Sequence, residues 1–299
     1  MIELIKKGVY MKNIKIDESK CIHCGKCISD CIAYCISFNE NNIPYMKKPQ
    51  NCISCQHCMA ICPTGALSIN DKNPENSENS DYDSILGLIK SRKSVRQYKQ
   101  EEIDQDTFNQ LKSMLPYIPT GCNSHALHFS IVETKSAMDT IRDAVNEKIK
   151  KLLLSNAFSP ITKKFGSYKK AFLDGQDIIF RNAPHMIVVS SPINAPCARE
   201  DGIIALSYFE LFAQHLRLGT CWCGLAHFCI KLMPEISEML EIPNGYTPVY
   251  AMLLGKPNVE YPRTTQPEAY SINSIKEIKK KDSCFFCHLK RFLTNLLPR

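Results

Sequence analysis

A chain of 299 residues is longer than one small cluster-binding module needs, and the remainder of over two hundred residues can bury a core of its own. A net charge of +7 leaves a nucleic-acid partner open until bound groups are counted, whereas no apolar run approaches the roughly 20 residues that span a bilayer. The amino terminus, Met1-Ile-Glu-Leu-Ile-Lys-Lys, lacks a signal peptide's layout, so the sixteen cysteines read as thiols of a soluble, cytoplasmic protein and argue against a disulfide framework.

Nine of those cysteines fall within residues 21 to 62, and eight repeat one spacing: Cys21-x-x-Cys24-x-x-Cys27-x-x-x-Cys31, then Cys52-x-x-Cys55-x-x-Cys58-x-x-x-Cys62-Pro63. Thiolates spaced this way on a turning loop meet three corners of a [4Fe–4S] cube, with the fourth ligand supplied by the other run. The pattern resembles a two-cluster bacterial ferredoxin. It assigns Cys21, Cys24, Cys27 and Cys62 to one cluster and Cys52, Cys55, Cys58 and Cys31 to the other. Structural zinc is the rival, but a third cysteine in each run has no use in a site built from two Cys-x-x-Cys pairs. Ile32 stands where the usual pattern has proline, and Cys35 lies four residues beyond Cys31, so either could complete the second cluster.

Residues 1–70 therefore form the expected two-cluster domain. Residues 71–83 are polar and acidic, and read as a linker. Ser84 caps a short helix carrying Ile85, Leu86, Leu88 and Ile89, and the basic cluster after it (Arg92, Lys93, Ser94, Arg96) suits a phosphate. Taken alone, such a cluster is more commonly a solvated helix end. The apolar runs His185–Ser190 and Val249–Leu254 read as buried strands, and residues 201–217, apolar on nearly every face, read as a buried helix. The fold class is α+β, with a small two-cluster domain first and a larger mixed domain over residues 84–270.

The larger domain resembles the FMN-dependent nitroreductase family. Arg92-Lys93-Ser94-Val95-Arg96 matches that family's Arg-Arg-Ser-x-Arg opening, and Pro119, Thr120, Asn123, His125 and Phe129 fall in register with its next motif. Leu216–Gly224 is similar to its Leu-Gly-Leu-Gly-Ser-x-Trp-x-Gly segment, and Leu254-Gly-Lys-Pro257 with Arg263 to its last strand and phosphate-binding tail. The resemblance implies an intertwined homodimer with FMN at the interface. In that arrangement Arg92, Lys93, Ser94, Arg96 and Arg263 would surround the phosphate, Thr120, Asn123 and His125 would come from the partner, and Cys223, Gly224 and Leu225 would meet the flavin near N5. His125 replaces the family's glutamine, and Ala126-Leu127 its Pro-Trp. No residue is assigned to catalysis, although His227 and His125 are candidates for proton donation beside the flavin. Cys122 and Cys223 read as small buried groups in preference to redox thiols.

Two oxidised clusters at roughly −2 each and a phosphate monoester at roughly −2 would leave the loaded protein near neutrality, removing the case for nucleic acid. The implied activity is electron transfer from an external low-potential donor, a ferredoxin or flavodoxin, through two [4Fe–4S] clusters to FMN. The acceptor would be a nitro, quinone or other unsaturated organic molecule in an anaerobe. The alternatives are an NAD(P)H-driven nitroreductase, for which no Gly-x-Gly-x-x-Gly run is needed, and a non-catalytic carrier or redox sensor. Residues 271–299 form a basic amphipathic tail. Its Cys284-x-x-Cys287-His288 matches the haem c attachment pattern, a reading disfavoured without export.

Overall fold

The computed structural model describes residues 13–155 and 159–277. Two compact units result, Met1–Gln266 and Pro267–Arg299. The described part of the second, residues 267–277, carries no helix or strand, and the Cys284-x-x-Cys287-His288 pattern lies outside the described residues.

The amino-terminal part of the first unit is a duplicated design. Strand β1 (Ile14–Ile16) pairs antiparallel with β4 (Leu67–Ile69), and β2 (Ile36–Phe38) with β3 (Pro44–Met46). Each cysteine run leads into one short helix, α1 (Lys26–Ser29) or α2 (His57–Ile61). Left-handed residues recur at equivalent places: His23 and Gly25 in the first run, Ser54 and Gln56 in the second, then Tyr34 and Gly65 beyond them. Alternating left- and right-handed backbone curls a loop tightly enough for successive thiols to point inward. Ile14, Ile36, Met59, Leu67 and Ile69 close the small core beneath.

The larger part is built on a four-stranded antiparallel sheet of order β5-β6-β8-β7, comprising β5 (His128–Val132), β6 (His185–Pro192), β8 (Tyr246–Gly255) and β7 (Gly219–Trp222). Side chains alternate between its faces. Met186, Val188, Ala251 and Leu253 enter one core with the long helix α5 (Lys135–Leu154) and with α6 (Pro160–Phe165), α7 (Lys169–Leu173), α9 (Gly224–Leu232) and α10 (Pro234–Met239). Ile187, Val189, Met252 and Leu254 enter the other, with α4 (Gln105–Ser113) and α8 (Ala198–His215). Both faces are covered, which is why β6 and β8 read as continuous apolar runs. The capped helix expected after Ser84 is α3 (Ile85–Ser91), with the Ser84 hydroxyl accepting from Gly87 N at 3.0 Å.

The acidic stretch 71–83 is pinned along its length. Pro74 is buried, Thr264 N donates to Glu78 O at 2.8 Å, Ser80 Oγ to Tyr261 O at 2.6 Å, and Asp81 N to Ser91 Oγ at 2.8 Å. The chain after β8 thus lies against the segment joining the two parts, and both belong to one compact unit.

Close packing of α8 on β8 depends on Gly202, where an added Cβ would stand 2.6 Å from Val249 Cγ1. Gly202→Ala is expected to lower anoxic denaturant stability by about 1–3 kcal/mol through overpacking. Gly166→Ala, whose Cβ would meet nothing within 4 Å, should stay within about 0.5 kcal/mol of the parent. Equal midpoints for the two variants would contradict the packing argument.

Candidate functional site

The eight repeated cysteines surround two cavities. Cys21, Cys24, Cys27 and Cys62 line one, while Cys31, Cys52, Cys55 and Cys58 line the other, with Cys35 beside them. Each cavity draws cysteines from both runs. Burial pushes the Cys27 thiol up to about 12, with further upward pressure from Cys62, Cys24 and Cys21. Cys58 is driven well above the usual thiol range by burial and by its neighbours Cys55, Cys27, Cys31 and Cys52. Bare thiols so placed resist ionisation together, and iron supplies the positive charge that makes four thiolates in one pocket tenable. Among the described residues no group of three or more His, Cys, Asp or Glu side chains is placed to hold a single metal ion. Backbone N–H groups also point at sulfur, from Cys35 to Cys31 Sγ and from Ser54 to Cys52 Sγ, each at 3.4 Å. The Cys35 thiol itself is buried and donates to Ala33 O at 3.6 Å.

The basic segment after α3 runs alongside β7, with Ser94 bridged to Thr220 and Val95 N donating to Thr220 O at 2.8 Å. Its exposure alternates. Arg92, Ser94 and Arg96 are partly open, whereas Ser91, Lys93 and Val95 are buried and line a cavity of about 400 Å³ with Gln214, Arg217 and Thr220. Lys93 is therefore turned away from the other members of its motif. Its ammonium donates to Lys90 O and Ser91 O at 3.3 and 3.2 Å and meets no carboxylate among the described residues. Arg92 donates to Glu210 Oε1 at 3.3 Å. Arg263 is bound to the carbonyls of Cys62 and Pro63. Its guanidinium is thus engaged by the cysteine module.

The segment Thr120–His125 forms a surface loop in which Cys122, exposed and not buried as expected, takes left-handed backbone together with Asn123 and His125, an arrangement that costs energy for non-glycine residues. Asp201, buried at the start of α8, holds the loop by accepting from Gly121 N at 2.8 Å. His125 N donates to Thr120 Oγ1 at 3.0 Å, and His125 Nε2 lies 2.9 Å from Asn123 Oδ1. Cys223 caps α9, its Sγ accepting from Ala226 N and donating to Ile179 O. Burial raises its thiol to about 11, fitting a packing role. Gly224 follows because a Cβ there would stand 3.0 Å from Tyr250 Oη. Leu225 packs at the edge of the core. His227 stacks on Tyr250 with centroids 5.2 Å apart, and burial lowers its pKa, favouring the neutral ring.

Several residues that motif reading passed over complete the setting. Glu210, visible in the sequence only as a polar interruption of an apolar helix, accepts from Arg92, from Thr220 Oγ1 at 3.4 Å and from Trp222 Nε1 at 3.0 Å. Arg96 exerts its charge on both the Cys221 and the Cys55 thiols. Asp30, Gln97 and Tyr261 meet across the boundary between the two parts. No motif marks these three, since each acquires its role only on folding.

Comparisons with known proteins match both parts of the chain. The profile of the Nitroreductase family matches residues 89–256, more than half of the chain, and that of a 4Fe-4S dicluster domain matches residues 13–76. An iodotyrosine deiodinase of Thermotoga neapolitana is 28% identical over 189 residues, covering 60% of this chain and 93% of that protein. Among solved structures, a nitroreductase with bound FMN from Desulfitobacterium hafniense superposes with a TM-score of 0.52 at 23% identity, covering 64% of this chain and 97% of its own. One with bound FMN from Bacteroides fragilis gives 0.51 at 18%, covering 66% and 100%. These two show the shared fold.

Burial, then the Arg92 charge, pushes Lys93 from 10.5 down to about 8. Below that pH both native and unfolded chains carry the proton, and the native chain bears the full cost of a buried charge. Between about 8 and 10.5 the native chain has released a proton that the unfolded chain keeps, so stability rises with pH. Lys93→Met should raise the thermal midpoint at pH 7 and flatten that rise. An unchanged pH profile would show that Lys93 is not the titrating group.

Proposed function

The chain belongs to the nitroreductase family, and we propose that it is a ferredoxin-fused flavoenzyme that moves electrons from a low-potential donor to an unsaturated organic acceptor such as a nitro compound or quinone. Its cofactors are FMN and two [4Fe–4S] clusters. When bound, the clusters pass single electrons, and the flavin gathers two and delivers them as a hydride. The observation that carries the reading is that two four-thiol cavities and the Arg92–Arg96 segment share one compact unit. Fusion makes the conversion from one-electron to two-electron chemistry intramolecular.

The residues divide the work. Cys21, Cys24, Cys27 and Cys62 hold one cluster, and Cys52, Cys55, Cys58 and Cys31 the other. Cys31 is preferred to Cys35 because it keeps the repeated spacing and its sulfur accepts the Cys35 N–H. Arg92, Ser94 and Arg96 supply cationic and hydroxyl donors to the flavin phosphate and ring edge. The backbone at Cys223 and Gly224 lets the ring approach closely. Thr120, Asn123 and His125 serve the flavin of a second copy. A homodimer is supported by the apolar side chains a single chain leaves open, Ile85, Leu86 and Ile89 on α3 and Ile204 and Tyr208 on α8. No helix among the described residues is long and apolar enough to cross a membrane.

Anoxic titration of the purified protein with NADH, NADPH and then reduced ferredoxin, following flavin and cluster absorbance together, tests the donor. Reduced ferredoxin is expected to bleach the flavin through the clusters. Cys24→Ala should retain FMN and lose acceptor reduction by at least about 100-fold. Direct bleaching by NADPH or NADH, or unchanged turnover in Cys24→Ala, would overturn the donor assignment.

A further inference from the structure

We infer that the ligand set Cys31, Cys52, Cys55 and Cys58 forms the flavin-side cluster site, and that the hydrogen bond from Tyr261 to Asp30 is the latch that holds this site against the flavin domain. The inference rests on the cofactor reading above and adds an order and a positioning device to it.

Asp30 immediately precedes Cys31, and His57 lies between Cys55 and Cys58. Both contact the larger domain. Tyr261 Oη donates to Asp30 Oδ1 and Oδ2 at 3.0 and 3.1 Å, and Gln97 Nε2 donates to Oδ1 at 3.2 Å. His57 Nδ1 lies 3.3 Å from Asp30 Oδ2, and its ring meets Tyr261 edge to face with centroids 5.4 Å apart. Asp30 is 4% exposed and Tyr261 6%. A carboxyl group so enclosed must have its donors, and two of the three come from the other domain. Separating the parts would leave it unsatisfied, so the contact is held in one geometry.

That geometry points at the flavin. Gln97 follows Arg96, the end of the segment assigned above to the flavin phosphate, so the Asp30 contact lies one residue from that segment. The same segment runs alongside β7 through Val95 N to Thr220 O at 2.8 Å, and β7 leads into Cys223 and Gly224, the backbone assigned above to the ring. The other ligand set is tied to the larger part through Arg263 at the Cys62 carbonyl. The two sets approach each other at Cys27 and Cys58. The order is therefore external donor, first set, second set, flavin.

Each internal transfer oxidises one reduced cluster and reduces the flavin by one electron. Two transfers and two protons from water complete its reduction, and a low-potential one-electron donor, reduced ferredoxin, restores both electrons. Electron tunnelling falls steeply with distance, so loosening the latch should slow this step without changing how the clusters are loaded.

The test is stopped-flow reduction of the anoxic holoprotein by reduced ferredoxin, comparing the parent with Tyr261→Phe and Gln97→Leu. Cluster bleaching is expected at the parent rate, with flavin bleaching slowed at least about ten-fold in both variants and cofactor content unchanged. Cys24→Ser should keep fast exchange between the surviving cluster and the flavin, and Cys55→Ser should lose it. Iron, sulfide and flavin analysis of the parent separates the layers of the argument. Absence of either cofactor overturns the cofactor reading and the order with it. Both cofactors present, with an unslowed Tyr261→Phe or with exchange lost in Cys24→Ser and kept in Cys55→Ser, overturns the order alone.

Discussion

A carboxyl group buried at a boundary is a constraint on both sides of it. Asp30 belongs to the cysteine module by sequence, yet that module alone offers it only His57, and satisfaction of the group requires Tyr261 and Gln97. Because an enclosed polar group without partners is costly, the two parts gain stability from keeping one relative placement. Other bonds reinforce it: Gln56 exchanges two hydrogen bonds with the main chain of Gln266, and Gln266 Nε2 donates to Ser77 Oγ at 2.8 Å. Two modules joined by a linker would ordinarily be free to move. Here the segment that joins them and the strap after β8 bind each other, and one compact unit results.

The cysteine module shows how a cluster site stores its demand in the protein. Its core is small, and several of its buried groups are the thiols themselves. Burial and mutual repulsion raise Cys27 and Cys58, so iron binding and module stability are coupled in one free energy. The left-handed turns at His23, Gly25, Ser54 and Gln56 are the backbone's share of that cost, repeated because the loop is repeated.

Much of this was legible in the chain. The duplicated spacing led to two mixed-run thiol sets, and the structure gathers those residues around two cavities. The strands at 185 and 249 were readable because a sheet covered on both faces needs no polar alternation, and the α3 boundary because a serine cap has a local cause. What escaped was non-local. Glu210 looked like a flaw in an apolar helix until Arg92, Thr220 and Trp222, distant in sequence, converged on it. Lys93 shared a motif with Arg92, Ser94 and Arg96, but extended backbone sends neighbouring side chains to opposite sides, and spacing alone does not reveal which sides are occupied.

The strap after β8 links fusion to flavin binding. The motif resemblance implied a tail that offers a cation to the phosphate; Arg263 instead donates to Cys62 and Pro63, and Tyr261 to Asp30. In this arrangement the Arg263 guanidinium is engaged by the cysteine module. Arg92 is meanwhile paired with Glu210, which offsets part of its charge. On the proposed reading, Arg96 and the Ser94 hydroxyl must therefore carry a larger share of phosphate and ring recognition than motif matching would assign them. Arg96 also acts on the Cys55 thiol, so on that reading the group that orients the flavin would add positive charge beside the second cluster as well. Positive charge there favours the reduced form of whichever centre it faces. If that reading holds, moving the tail onto the cysteine module concentrates flavin binding and electron delivery on one side chain.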